Sequence, residues 1–191
     1  MKLGEVALME NVLPEGTAVH VRDTLLSDTF PWYWNERTLE EGESSDYTKA
    51  THQFTHVFCV NGKENSNYNY IPQEITKVFT DKYGLEVQCF IRTKANLLCT
   101  LGDVDIDQQH EIHTDIVSGE NVYSIVYYVG ESDGDTVMYD GDKESCRIPH
   151  KHNSAAMFNS MNTHRGSLPR QHKRRVVINI VFQAKEKNGG R

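Results

Sequence analysis

A chain of 191 residues with a formal net charge of −7 and a sequence pI near 5.7 is long enough to bury one sizeable core without staples, and nothing in it requires a second domain. The acidic balance argues against a protein that coats nucleic acid, which needs a basic face. Cys59, Cys89, Cys99 and Cys146 show no Cys-x-x-Cys spacing, and there is no signal peptide or long apolar run, so the expectation is four reduced, partly buried thiols in a cytoplasmic protein with no membrane partner.

The opening residues lack amphipathic pattern and reach turn chemistry at Pro14-Glu15-Gly16; Val19–Arg22 then reads as a short strand. Leu25–Asn35 concentrates both tryptophans and a proline, which suits a loop packed on the main sheet. Leu39–Thr48 is rich in Glu, Gly, Ser and Asp and reads as a mobile loop that could serve as a lid. His52–Val60 partly alternates, as a strand does, and this extended spacing makes His52 and His56 structural or surface residues rather than a metal pair.

Pro72 suits the first turn of a helix over Gln73–Tyr83, with Ile75, Val78 and Phe79 as its apolar stripe and Gly84 as its end. Leu85–Cys99 follows as a strand, with Phe90, Arg92, Lys94 and Asn96 on one parity. Short strands are then expected at Val122–Val129, Thr136–Tyr139, Ala155–Phe158 and Arg174–Phe182, with alternation blurred where both faces are partly buried.

The stretch that organises these elements is Glu111–Asp115. Read as a strand, it projects His113 and Asp115 from one face, and His164 supplies a second imidazole from far along the chain. Two imidazoles and one carboxylate, with other positions open, form the facial triad that holds Fe(II) in non-haem oxygenases. A lone His-x-Asp says little in a chain with nine histidines. What adds weight is an apolar strand pattern after Asp115 and an arginine-bearing strand after His164.

His113-Thr114-Asp115, Ile125–Val129, the turn Asp133–Thr136, Asn153–Asn159, His164-Arg165-Gly166 and Arg175–Ile180 together resemble the 2-oxoglutarate- and Fe(II)-dependent oxygenase family, in its prolyl-hydroxylase-like and phage-encoded branches. The turn departs from the family's paired glycine, with Asp133-Gly134 in its place. The resemblance implies a mainly β double-stranded β-helix (a distorted, cupin-like jelly roll) within one domain of residues 1–191. Its core lies at about 85–183, and residues 1–84 act as a supporting segment with helix. It also implies a dioxygenase that uses Fe(II), 2-oxoglutarate and O₂ to hydroxylate an unactivated C–H, releasing succinate and CO₂. His113, Asp115 and His164 are then the metal ligands and the catalytic set, whereas His150, His152 and His172 are not.

The far carboxylate of the co-substrate calls for arginine, which pairs bidentately and keeps its proton. Strand parity groups Arg175 with Asn179 and Arg174 with Val176, Ile178 and Ile180, which favours Arg175 on a polar interior face. The spacing from His164 in prolyl-hydroxylase-like relatives picks Arg174 instead. Asn96 and Tyr128 are further polar candidates beside the co-substrate. The prolyl-hydroxylase-like resemblance implies a peptide or protein side chain as substrate, with a small molecule or a nucleobase as alternatives. A non-enzymatic cupin-like module that binds a metal or a small ligand is the competing class.

Overall fold

The computed structural model describes residues 4–36, 52–100 and 112–187; the Leu39–Thr48 stretch and Glu111 lie outside them. In chain order the elements are β1 (Val6–Glu10), α1 (Glu15–Leu25), β2 (Tyr33–Asn35), β3 (Gln53–Val60), β4 (Lys63–Glu64), α2 (Tyr70–Tyr83), β5 (Leu85–Cys99), β6 (Val122–Val129), β7 (Thr136–Asp140), β8 (Lys143–Ile148), β9 (Ser154–Asn159), β10 (His164–Gly166) and β11 (Arg174–Glu186). A large antiparallel sheet runs in the order β1-β9-β6-β11-β5-β3-β2, with β4 paired to β3, and a small sheet runs β10-β7-β8.

The large sheet is sandwiched. On one face Val176, Ile178, Ile180 and Phe182 of β11 and Ile125 and Tyr127 of β6 pack with Val21 and Leu25 of α1 and Ile71, Ile75 and Phe79 of α2. On the other, Val126, Tyr128, Phe158 and Val177 meet Met138 of β7 and Ile148 of β8. With both faces covered, all eight residues of β6 are buried, which is why its apolar run does not alternate. Two facing antiparallel sheets, helices on the outside of one, make the expected double-stranded β-helix.

Several local expectations change. Val19–Arg22 lies inside α1, not in a strand, because Ala18, Val21 and Leu25 recur at helical spacing and bury against the sheet, while Pro14 O accepts the first helical N–H groups. The opening residues, read as patternless, supply edge strand β1, held by its register with β9 rather than by any alternation of its own. β8 also went unread, since five of its six residues are exposed. Helix α2 begins at Tyr70, with Pro72 in its first turn and Gly84 as a left-handed cap at φ 63°. Of the aromatic cluster, Phe30 is buried and Trp32 donates to Leu25 O at 2.9 Å, but Tyr33 and Trp34 are exposed. No helix among the described residues is long and apolar enough to cross a membrane.

Candidate metal centre

The His113–Asp115 stretch is not a strand. It makes one isolated bridge, in which His113 N donates to His164 O at 2.9 Å and His164 N to His113 O at 2.8 Å. That reciprocal pair suffices to bring the two imidazoles to one side, 4.6 Å between ring centroids. Asp115 is anchored separately, its N donating to Ser160 O at 3.0 Å. The ligand atoms of His113, Asp115 and His164 lie within 4.8 Å of one another, the one such convergence of His, Cys, Asp or Glu among the described residues.

Each donor is oriented by its surroundings. His164 Nδ1 lies 2.9 Å from Asn162 O, and since a carbonyl only accepts, an N–H at Nδ1 points there and Nε2 is the nitrogen left to face Asp115. Phe158 packs edge-on against that ring at 4.9 Å. Asp115 Oδ2 is 3.7 Å from His164 Nε2 and accepts from Ser124 Oγ at 2.6 Å, while Oδ1 accepts from Arg92 Nη2 at 3.1 Å. Burial opposes charge on Asp115, but His164, His113, Arg92 and the Ser124 hydrogen bond outweigh it and hold the carboxyl below its usual range. Two imidazole nitrogens and one carboxylate oxygen form a donor set suited to Fe(II). Four further histidines are engaged elsewhere: His56 with Pro31 O and Ser66 Oγ, His150 with Gly130 O, His152 with Gly130 N, and His172 with Asp133.

The two arginines separate by strand parity. Arg174 is exposed and lines a cleft of about 530 Å³ with Arg22, Gly130, His152 and Val176 on the helical side. Arg175 is 4% exposed on the inner side, where Nε donates to Gly134 O at 2.7 Å and Nη2 to Thr136 Oγ1 at 3.0 Å. The side chain fits only because its neighbours lack Cβ atoms. A Cβ at Gly134 would stand 2.6 Å from Arg175 Cδ, and one at Gly166 would stand 3.0 Å from Arg175 Nη1.

Asn96 and Tyr128 flank Val177 in one row across β5, β11 and β6, on the face that carries Arg175. Burial raises the Tyr128 hydroxyl to about 12, the nearby Thr136 and Arg175 opposing the shift. That hydroxyl has Thr136 beside it but no well-formed hydrogen bond, and Asn96 Oδ1, Ser167 Oγ and Asn179 Oδ1 are likewise buried without a partner. Such atoms suit a polar ligand, because an unmet buried group costs about 1–3 kcal/mol. The sequence reading missed Arg92, Ser124 and the carbonyl of Asn162, whose roles depend on cross-strand register and loop geometry. Arg92 did share a parity with Asn96, which placed it on the right face without revealing its partner.

No protein-family model matches the sequence, and no curated protein matches it. Among solved structures, a 2OG-Fe(II) oxygenase family oxidoreductase from Burkholderia pseudomallei matches with a TM-score of 0.66 at 12% identity, over 93% of this chain and 84% of that one. A prolyl hydroxylase from Trichoplax adhaerens, in complex with a hypoxia inducible factor peptide fragment, matches with a TM-score of 0.66 at 13% identity, over 93% and 83%. The epimerase SnoN, in complex with Fe3+ and alpha ketoglutarate, matches with a TM-score of 0.63 at 10% identity, over 97% and 82%. The chain therefore has the fold of the 2-oxoglutarate- and Fe(II)-dependent oxygenases.

Proposed function

We propose that this chain is a 2-oxoglutarate- and Fe(II)-dependent dioxygenase that hydroxylates an unactivated C–H of a peptide or protein side chain. The observation that carries this reading is the convergence of His113, Asp115 and His164 within 4.8 Å, each held by its own hydrogen bonds, inside an oxygenase fold. These three would hold Fe(II). When bound, iron and 2-oxoglutarate supply O₂-dependent oxidative decarboxylation, which yields succinate and CO₂ and hydroxylates the substrate.

The chain's own contribution is orientation and exclusion of water. Arg175 pairs with the far carboxylate of 2-oxoglutarate from a buried position, where a charge-assisted contact gains strength. Tyr128 donates its hydroxyl to the co-substrate, which meets an atom that lacks a partner in the protein alone, and Asn96 donates an N–H from its Nδ2. Peptide substrates are supported by the prolyl hydroxylase match, which was solved with a peptide fragment. Free thiols at all four cysteines suit a reducing, cytosolic setting, where a ferrous site persists.

The experiment is to supply Fe(II), O₂ and 2-oxoglutarate and measure succinate, first without and then with a panel of proline-containing peptides. Iron- and oxygen-dependent succinate release, stimulated by at least one peptide with matching hydroxylation, is the expected result. No succinate under any condition would favour a binding module, and stimulation by nucleosides or free metabolites alone would move the substrate away from peptides.

A further inference from the structure

A carboxylate can give a metal one oxygen or two, and a three-residue ligand set keeps the most positions open when it gives one. Asp115 lies in a segment, residues 112–121, that forms no regular strand before β6 is reached, so no ladder fixes the plane of its carboxylate. The large sheet does so instead. Ser124 of β6 donates to Oδ2 at 2.6 Å, and Arg92 of β5 donates to Oδ1 at 3.1 Å. Both residues pair in register with Val181 of β11. The two donors thus stand in one row, about 10 Å apart at the backbone on a strand spacing of about 4.8 Å, with the carboxylate spanning the gap above Val181.

The two oxygens are not equivalent. Oδ2 faces the imidazoles, 3.7 Å from His164 Nε2, whereas Oδ1 turns toward the guanidinium. The Asp115 side chain is 5% exposed and that of Arg92 29%, so the cation reaches in from the wetter side of the site. We infer that Arg92 is a positioning residue for the metal carboxylate. Its guanidinium occupies Oδ1, so Asp115 offers Oδ2 alone and the other coordination positions stay available to co-substrate and O₂. A planar guanidinium fixes direction as well as charge, which a solvated cation would not. This inference rests on the reading of the site as a metal centre.

Co(II) reports the difference, because its visible absorption depends on coordination number and its binding needs no turnover. Co(II) is titrated into the metal-free full chain, and 2-oxoglutarate is then titrated into the Co(II) form. R92Q should still bind Co(II), about tenfold more weakly, the low end of the loss seen when a group orienting a metal ligand is removed, with an altered visible band and weaker 2-oxoglutarate binding. R92K, which restores a charged N–H donor, should return all three readings toward those of the parent protein. If R92Q does not fold, R92M keeps the packing of the arm and carries the same expectation. An unchanged band and unchanged 2-oxoglutarate affinity in the variant, or no recovery in R92K, would overturn the inference. Absence of Co(II) binding by the parent chain, or binding that survives D115A, would instead overturn the metal reading beneath it.

Discussion

The two faces of β11 carry opposite chemistry although they alternate residue by residue. Val176, Ile178, Ile180 and Phe182 are packed with the helices, while Arg175, Val177 and Asn179 turn toward the small sheet and share their side with Asn96, Tyr128 and Ser124. The outer face is a core in which shape matters. The inner face keeps buried polar atoms in place, which is tolerable only where a ligand or an internal partner meets them. A one-residue slip of β11 would exchange the two faces, so the register that stabilises the core also assembles the site.

The largest effect should come from the end of the inner space that holds the triad. D115A and H164A should both abolish succinate formation, D115A weakening metal binding more because it removes the one anionic ligand. H150A, H152A and H172A should keep the metal. Metal titration monitored by isothermal calorimetry checks this, and retention in H164A with loss in H152A would reverse the assignment.

The second test contrasts adjacent residues on opposite faces. Removing one member of a buried charged pair costs roughly 2–5 kcal/mol, and 1.4 kcal/mol is about tenfold. R175A should therefore raise the apparent 2-oxoglutarate constant at least about tenfold and leave metal affinity unchanged, while R174A, on the exposed outer side, should do far less. Steady-state kinetics at saturating Fe(II) gives the ranking, and the reverse ranking would contradict the face assignment.

Smaller still is the effect expected at Gly134. G134A places a Cβ 2.6 Å from both Arg175 Cδ and Ser167 O. Overpacking of this kind costs about 1–3 kcal/mol. The loss should appear in denaturant unfolding together with a weaker 2-oxoglutarate interaction, because relief requires Arg175 to move. Unchanged stability and affinity would show that the cradle is loose.

Much of this contrast was readable in the chain. β6 and β11 are legible from their apolar runs and β5 from its parity, and period-two parity within β11 groups Arg175 with Asn179, while the register that puts Asn96 on the same side is not in the sequence. His113, Asp115 and His164 were legible as types, but their meeting was not, since it depends on one isolated bridge between segments fifty residues apart. Short elements defeated the reading for a shared reason. Val6–Glu10 and Lys143–Ile148 gain their strand geometry from partners rather than pattern, and Val19–Arg22 alternates only by accident within a helix. Arg92 and Ser124 were invisible because a hydrogen bond to Asp115 follows from the register of three strands.

A pH dependence also belongs to the inner face. Burial, with Arg175 nearby, lowers the His150 imidazole from 6.5 to about 3, despite backbone hydrogen bonds that favour the charged form. The folded state then stays neutral where the unfolded chain takes up a proton. Stability should accordingly be complete above pH 6.5 and decline as pH falls below it toward 3, by at most about 1.4 kcal/mol per pH unit from this group. His56, also lowered mainly by burial, acts in the same direction. Urea midpoints at pH 7.0 and 5.0 should differ less in H150Q than in the parent protein, and an equal difference would assign the acid sensitivity elsewhere.

On the proposed function, the inner face and the bridged histidines together form one metal and co-substrate site. A crystal structure grown with Mn(II) and 2-oxoglutarate, with anomalous scattering to locate the metal, tests it most directly. The expected result is a single strong anomalous peak bonded to His113, Asp115 and His164, with the far carboxylate of 2-oxoglutarate on Arg175. A peak elsewhere, or 2-oxoglutarate seated in the cleft beside Arg174, would contradict it.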